Sequence, residues 1–295
     1  MPLRLGINPI TWSNDDMPEL GGATPLETCL AEARAAGFEG IELGNKFPRE
    51  SALLRPILER HGLALVSGWY SARLRERSVE EEARHLEPHL TLLREMGCEV
   101  VILAETSGSV AGARDLPVAR RPRLRDSEWA SFAAGLTELA ERVERRGLRI
   151  AYHHHMGTVI ETEAEVDRLM AAAGRSVGLL LDTGHLAYAG ADPVAVARRH
   201  IDRIVHVHCK DVRPEVLAAM RAGERSFLDA VVEGVFTVPG DGGVDFPAVL
   251  RVLKAGGYGG WLVVEAEQDP AKAHPLTYAR MGHDYLSRAA RAAGL

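Results

Sequence analysis

The chain has 295 residues, 46% hydrophobic and 26% charged, a balance that excludes disordered, collagen-like and coiled-coil architectures. Its formal charge of -6 speaks against a nucleic-acid partner, and no apolar run approaches the roughly 18 residues that a membrane-spanning helix needs. Three widely spaced cysteines (Cys29, Cys98, Cys209) and an N-terminus without a signal-peptide pattern lead to the expectation of a reduced, cytoplasmic protein.

Short apolar runs, bounded by glycine or polar residues, read as strands at 3–8, 38–43, 63–69, 99–104, 148–153, 177–182, 203–208 and 261–265. Helical patterns alternate with them. The first, 25–36, follows a Thr24-Pro25 cap, and 49–61 comes next. The third, 78–96, opens on Ser78 and Glu81 at capping-box spacing. The pattern continues at 126–146, 162–173, 192–201, 245–255 and 270–292. Gly37, Gly97, Gly147 and Gly256-Gly257 each close a helix and lead into a strand, where a left-handed residue ends the last turn.

Eight such repeats predict an α/β fold, a (β/α)8 TIM barrel, over 1–295 as a single domain. A doubly wound open sheet would carry a glycine-rich phosphate loop after an early strand, and the sequence has none. The main irregularity is an insertion at about 212–240, helical from Pro214 to Glu233. It is expected to act as a lid or as a subunit contact in a homo-oligomer. The basic stretch from Arg114 to Arg125 reads as a solvated loop, with a lid as the alternative.

Seven of the 12 histidines fall between 153 and 208. In a TIM barrel the active site lies at the C-terminal strand ends. There the fifth strand offers His153, His154 and His155, the sixth Asp182 and then His185, the seventh His206 and His208 and then Lys210, the eighth Glu265 and Glu267. Four consecutive strands therefore deliver imidazoles and carboxylates to one rim. Two imidazoles with two carboxylates suit manganese, cobalt, iron or zinc. The preferred ligands are His153, Asp182, His208 and Glu265. Strand alternation puts His206 about 6.6 Å below His208, so His208 is the better ligand. His153 and His155 share a face, and His154 points away. His185 could orient a ligand or the substrate by hydrogen bonding.

The earlier strands add polar groups to the same rim. Trp12 and Asn14 follow the first, Glu42, Asn45 and Lys46 close the second, and Glu105 closes the fourth. A mouth rich in hydrogen-bonding groups suits a small polyhydroxylated substrate. Trp12, Trp69 and Tyr70 read equally as core or as substrate walls.

At these residues the sequence resembles a known family. Asp182-Thr183-Gly184-His185, the run His206 to Asp211, Pro239-Gly240-Asp241-Gly242 and Glu265 resemble the xylose-isomerase-like superfamily of sugar isomerases, epimerases and dehydratases. More narrowly, GINPITWSNDDMPELGG (6–22), GIELGNKFP (40–48) and AYHHHMGT (151–158) resemble the inosose dehydratases, which dehydrate 2-keto-myo-inositol in inositol breakdown. The resemblance covers nearly the whole chain. It implies a TIM barrel, a divalent manganese or cobalt ion, glutathione as an aid, and a polyhydroxylated cyclic ketone as substrate. Isomerases and epimerases of the superfamily carry a metal-binding glutamate where this chain has His153. That departure disfavours the competing reading as a sugar isomerase or epimerase. By correspondence to that glutamate His153 is the ligand, with His155 as the alternative.

In such a dehydration a base removes the proton next to the ketone and an acid protonates the departing β-hydroxyl. Glu265 or His155 is the expected base, and His185 or Lys210 the expected acid.

Overall fold

The computed structural model describes residues 3–295. Its strands run in the order β1 (Arg4–Ile7), β2 (Gly40–Leu43), β3 (Ala64–Ala72), β4 (Val100–Glu105), β5 (Arg149–His153), β6 (Val177–Asp182) and β7 (Ile204–Cys209). Two-residue strands β8 (Asp211–Val212) and β9 (Phe236–Thr237) then pair antiparallel outside the barrel, and β10 (Trp261–Val264) follows. β1 to β7 pair in sequence, all parallel, and β10 closes the ring between β7 and β1. The eight expected strands all appear, with bounds shifted by up to three residues.

Helices α1 (Leu26–Ala35), α2 (Ser51–His61), α3 (Val79–Glu95), α4 (Trp129–Arg145) and α5 (Glu163–Ala172) pack outside the barrel. α3 carries the expected capping box, with Ser78 and Glu81 each bonded to the other's backbone. α1 does not use Thr24 as a cap; Pro25 holds that place without a side-chain bond. Gly97 and Gly147 lie at φ 82° and 81° with open space around the missing Cβ. Backbone conformation, not crowding, is what selects glycine there.

The second half holds more helix than expected. A seven-residue α6 (Thr183–Ala189) springs directly from β6 and is capped by Asp182, whose Oδ1 accepts the His185 N–H at 2.8 Å. α7 (Pro193–His200) follows. The insertion forms two helices, α8 (Pro214–Ala222) and α9 (Phe227–Val232), rather than one, broken where Glu224 takes φ 48°. α10 (Phe246–Ala255) and α11 (Pro275–Ala293) complete the outer layer. Among the described residues no helix is long and apolar enough to cross a membrane.

The barrel interior is filled by alternate residues of each strand. Val100, Ile102, Ala151 and Leu180 form one cluster, and Val66, Trp261 and Val263 another. Trp261 fits because it faces Gly6 and Gly40, and the Arg4 guanidinium lies 4.0 Å from its ring centre. A Cβ at Gly40 would stand 2.6 Å from both Trp261 and Val66. Gly40→Val is therefore expected to cost about 1–3 kcal/mol through overpacking. Thermal unfolding reads this as a Tm lowered by roughly 2–4 °C per kcal/mol.

The same alternation builds the site. Inward positions run Trp261, Val263, Glu265 on one strand and Gly178, Leu180, Asp182 on another. They run Ala151, His153 on β5 and His206, His208 on β7. Register sets Asp182 beside His208 and Leu180 beside His206 and His153. Period-two geometry thus lifts four ionisable groups onto the top layer of an otherwise apolar core.

Candidate active site and metal centre

His153, Asp182, His208 and Glu265 each offer a donor atom within 4.8 Å of the others, and all four are buried. His153 Nε2 lies 3.4 Å and His208 Nδ1 3.5 Å from Asp182 Oδ2, and His208 Nδ1 is 2.5 Å from Glu265 Oε2. Asp182 Oδ2, Glu265 Oε2 and His208 Nδ1 nonetheless make no hydrogen bond of proper geometry. Buried polar atoms left this way cost about 1–3 kcal/mol each unless something else satisfies them. The electrostatics point the same way. Burial alone would raise Asp182, but His185, Lys210 and the imidazoles hold it well below the usual carboxylate range. Burial alone would lower His208, but Glu265 and Glu42 hold it well above the usual imidazole range. The pocket demands positive charge, and its mixed nitrogen and oxygen donors fit a divalent ion.

A layer of hydrogen bonds beneath the cluster holds His208. Glu42 Oε1 accepts from Ser67 Oγ at 2.7 Å and faces His206 Nε2 at 2.9 Å and His208 Nε2 at 3.1 Å. Its other oxygen accepts from Asn8 Nδ2 at 2.7 Å. With an Nε2 proton donated to Glu42, His208 would offer the Nδ1 lone pair to an ion held among the four residues. His206 thus sits below the ligand layer, its ring 5.4 Å from that of His208. His154 faces the other way and meets the Asp182 N–H with Nε2 at 3.4 Å.

Above the ligands opens a cavity of ≈ 280 Å³. His155, His208, Glu265 and Glu267 form its floor and one side, and Trp69, Ser71, Thr106, Ser109 and Thr158 contribute elsewhere. Trp69 is 39% exposed and sets its edge against His153 and His155 at 5.3 and 5.5 Å between ring centres. His155 Nδ1 bonds the Met156 carbonyl at 2.9 Å, so Nδ1 carries the proton and Nε2 is a free acceptor. Burial, with His153 and Lys210 nearby, pushes His155 down to about 3, so the ring is neutral.

Behind His155 stands a charged group. Lys210 Nζ is 3.0 Å from His185 Nε2, 3.2 Å from Glu267 Oε2, 3.5 Å from Glu265 Oε2 and 4.0 Å from Asp182 Oδ2. Burial would lower it, but the carboxylates prevail and hold it above the usual lysine range. Burial, opposed by Lys210 and aided by Glu265, pushes Glu267 up to about 7. The insertion closes this side: Phe227 packs on His155 and His185, and Phe236 on His185.

Of the four expected proton-transfer groups, Glu265 and His155 line the cavity, while His185 and Lys210 are fully buried behind it. Of the six expected substrate contacts, Glu42 alone lines it. Trp12 is a core residue whose Nε1 donates to Glu32 at 2.6 Å. Asn14 Oδ1 accepts the Asp16 and Met17 N–H groups, each at 2.8 Å. Glu105 is spent on the N–H groups of Leu74 and Ser107 at 2.7 and 2.9 Å. Lys46 clamps the carbonyls of Gly21, Gly22 and Thr24, and lines a separate small crevice with Asn45. The polar rim residues of the early strands were thus turned to loop construction, as their turn-forming chemistry allows.

The basic stretch is not simply solvated. Arg121 is buried, forked onto Glu165 at 2.8 and 3.0 Å and bonded to the Thr158 carbonyl at 3.0 Å. It pins its loop, whose Ser109, Ala111 and Gly112 reach the cavity, against the segment carrying His155. Of the residues read equally as core or substrate wall, Trp69 lines the cavity and Trp12 does not; Glu267 is a wall residue that the sequence placed on the rim without a role. Glu267 had a readable signal, since it lies two positions beyond Glu265.

A profile of the xylose isomerase-like TIM barrel family matches residues 30–289. The rhizopine catabolism protein MocC of Rhizobium meliloti is 59% identical over 295 residues, covering 100% of this chain and 90% of that protein. An inosose dehydratase of Geobacillus thermodenitrificans is 47% identical over 286 residues, 96% of each chain. Among solved structures, the zinc-binding IolI protein aligns at TM-score 0.69 with 16% identity, covering 97% of this chain and 98% of that one. An L-ribulose 3-epimerase aligns at TM-score 0.69 with 18% identity, covering 99% and 96%. At those identities the structural likeness speaks for the fold alone.

Proposed function

The chain belongs to the xylose isomerase-like TIM barrel family, and we propose that it is a metal-dependent hydro-lyase that removes water from inosose (2-keto-myo-inositol) to give a trihydroxycyclohexane dione. The observation that carries this reading is full-length identity of 42–47% to several inosose dehydratases. The buried two-histidine, two-carboxylate cluster supports it. His153, Asp182, His208 and Glu265 would hold the ion, with manganese or cobalt as its identity and the cytoplasm as its setting. When bound, the ion supplies a Lewis acid at the ketone end of the substrate.

The remaining chemistry belongs to the side chains. The ketone makes the adjacent C–H acidic. His155 Nε2, an unprotonated acceptor on the cavity wall, takes that proton. The C–O bond to the β-hydroxyl then breaks as Glu267, on the same wall, gives the oxygen a proton and water leaves. His185 and Lys210 do not reach the cavity and hold Glu267 and His155 in place. His155 and Glu267 offer atoms within 4.8 Å of each other, a span that one bridging water would cover to hand the proton back. The enol product tautomerises to the dione. Hydroxyls of Ser71, Thr106, Ser109 and Thr158 suit the ring hydroxyls of a cyclitol ketone.

The test is direct. Protein loaded with manganese or cobalt is mixed with 2-keto-myo-inositol, with and without glutathione, and the ultraviolet absorption of the dione is followed. Dione formation is expected. Exchange of the substrate proton without loss of water would instead identify an isomerase or epimerase, and no reaction would remove inosose as the substrate. The higher identity to the rhizopine catabolism protein favours a second reading, in which the same dehydration serves the breakdown of rhizopine. Poor turnover of inosose alongside intact metal binding would favour it.

A further inference from the structure

Beside the four-ligand centre, His155, His185 and Glu267 form a second buried group whose donor atoms lie within 4.8 Å of one another. Two imidazoles and a carboxylate are a set that divalent ions accept. Here His185 Nε2 and Glu267 Oε2 both converge on Lys210 Nζ, at 3.0 and 3.2 Å. The ammonium also stands 3.5 Å from Glu265 Oε2 and 4.0 Å from Asp182 Oδ2, the same two oxygens that face the first centre. That is the layout of a carboxylate-bridged pair of cations, in which two ions share oxygens at roughly 3.5–4 Å separation. From these contacts we infer that Lys210 is a built-in substitute for a second metal ion: its ammonium fills a latent binuclear site and holds the protein to one bound ion.

The chain around Lys210 fits this role. The lysine is fully buried, and its Nζ lies 4.7 Å from the centre of the Phe236 ring, which caps the ammonium on the insertion side. A Cβ at Gly184 would stand 2.4 Å from the Lys210 stem, so glycine at that position makes room for the side chain. A tethered ammonium brings one charge with no exchange and no ligand geometry, where a second divalent ion would bring two. His185 and Glu267 are then positioned by a fixed cation rather than by an ion that can leave.

The inference rests on the metal reading of the first centre, and metal stoichiometry tests the two separately. Metal-free protein is titrated with Mn(II) alone, and bound metal is measured by dialysis with elemental analysis and by electron paramagnetic resonance. The wild type is expected to bind one equivalent. Lys210→Ala is expected to bind two, with the spectrum of an exchange-coupled pair, and the double variant with His185→Ala to return to one. Lys210→Met keeps the stem and removes the charge. It is expected to bind one ion about tenfold tighter or more, because a cation within 4.0 Å of two ligand oxygens is gone. Two equivalents in the wild type, or one in folded Lys210→Ala, would overturn the inference and leave the first centre standing. If Lys210→Ala does not fold, unchanged or weaker affinity in Lys210→Met overturns it. No bound metal in the wild type would defeat the first centre and the inference with it.

Discussion

His208→Ala is expected to bind no stoichiometric metal and to lose about 10³-fold or more in kcat/KM, equivalent to roughly 4 kcal/mol of transition-state stabilisation. The size follows from what His208 touches. Its Nδ1 faces Asp182 and Glu265, and its Nε2 faces Glu42, so one ring joins the candidate ligand set to the layer beneath it. Removing it leaves three buried carboxylates without their shared partner. Loss of one member of such a buried charged network costs about 3–5 kcal/mol, so Tm should fall as well. His208→Gln, which can still donate toward Glu42, separates folding from metal binding. It should recover part of the Tm while metal content and activity stay low. A folded His208→Ala protein with full metal content and full activity would show that the centre lies elsewhere.

His155→Asn should behave differently. Metal content should stay at the wild-type level, and kcat should fall about 10²- to 10⁴-fold, the range for losing a general base. The separation rests on geometry. His155 lines the cavity with Nε2 open, while His153, two residues earlier, lies against Asp182. Asparagine keeps a donor for the Met156 carbonyl and removes the imidazole acceptor. Metal analysis beside steady-state kinetics reads both quantities. A loss in kcat below tenfold would sink the base assignment, and a loss of metal would make His155 a ligand in place of His153. Exchange of the substrate α-proton with solvent gives a further readout, since the variant should slow exchange and dehydration together.

The barrel was legible because short apolar strands and helical patterns alternate eight times, helix-closing glycines mark four of the junctions, and local errors average out. The convergence of His153, Asp182, His208 and Glu265 was legible for a related reason. His208 lies two residues above His206, and Asp182 two above Leu180, so period-two alternation selects the rim group once the strand is known. Glu105 ends β4 one position out of step with the inward-facing Val100 and Ile102, while Trp12, Asn14 and Lys46 do not line the cavity because rim loops have no such period. A polar residue there can face the cavity or fold back on its own backbone. Asn14 bonds the N–H groups two and three residues on, and Glu105 bonds that of Ser107 two residues on and that of Leu74 31 residues back. Glu267 was hard to assign for the opposite reason, since a residue just past a strand end inherits the face only while the chain stays extended. Arg121 reads as one of several arginines in a proline-rich stretch, and only its distant partners Glu161 and Glu165 distinguish it. Asp182 shows that two readings of one residue can both hold, as its Oδ1 caps α6 while its Oδ2 faces the ligand cluster.

Asp211 ties the insertion at its base. Its carboxylate accepts N–H groups from Val212, Gly240, Gly242 and Val244, the first and last residues of the excursion. The two ends are thereby clasped whatever lies between them. Chain-closure entropy grows slowly with length, by about 0.6 kcal/mol per doubling. Behind such a clasp, α8 and α9 can lengthen, shorten or change sequence at little thermodynamic cost to the barrel. Because Phe227 and Phe236 in that excursion press on His155 and His185, such drift would change the shape of the cavity's inner wall and leave the strand-end charges alone. The segment is therefore where substrate preference can diverge between paralogues, and where a transplanted loop has the best prospect of redirecting it.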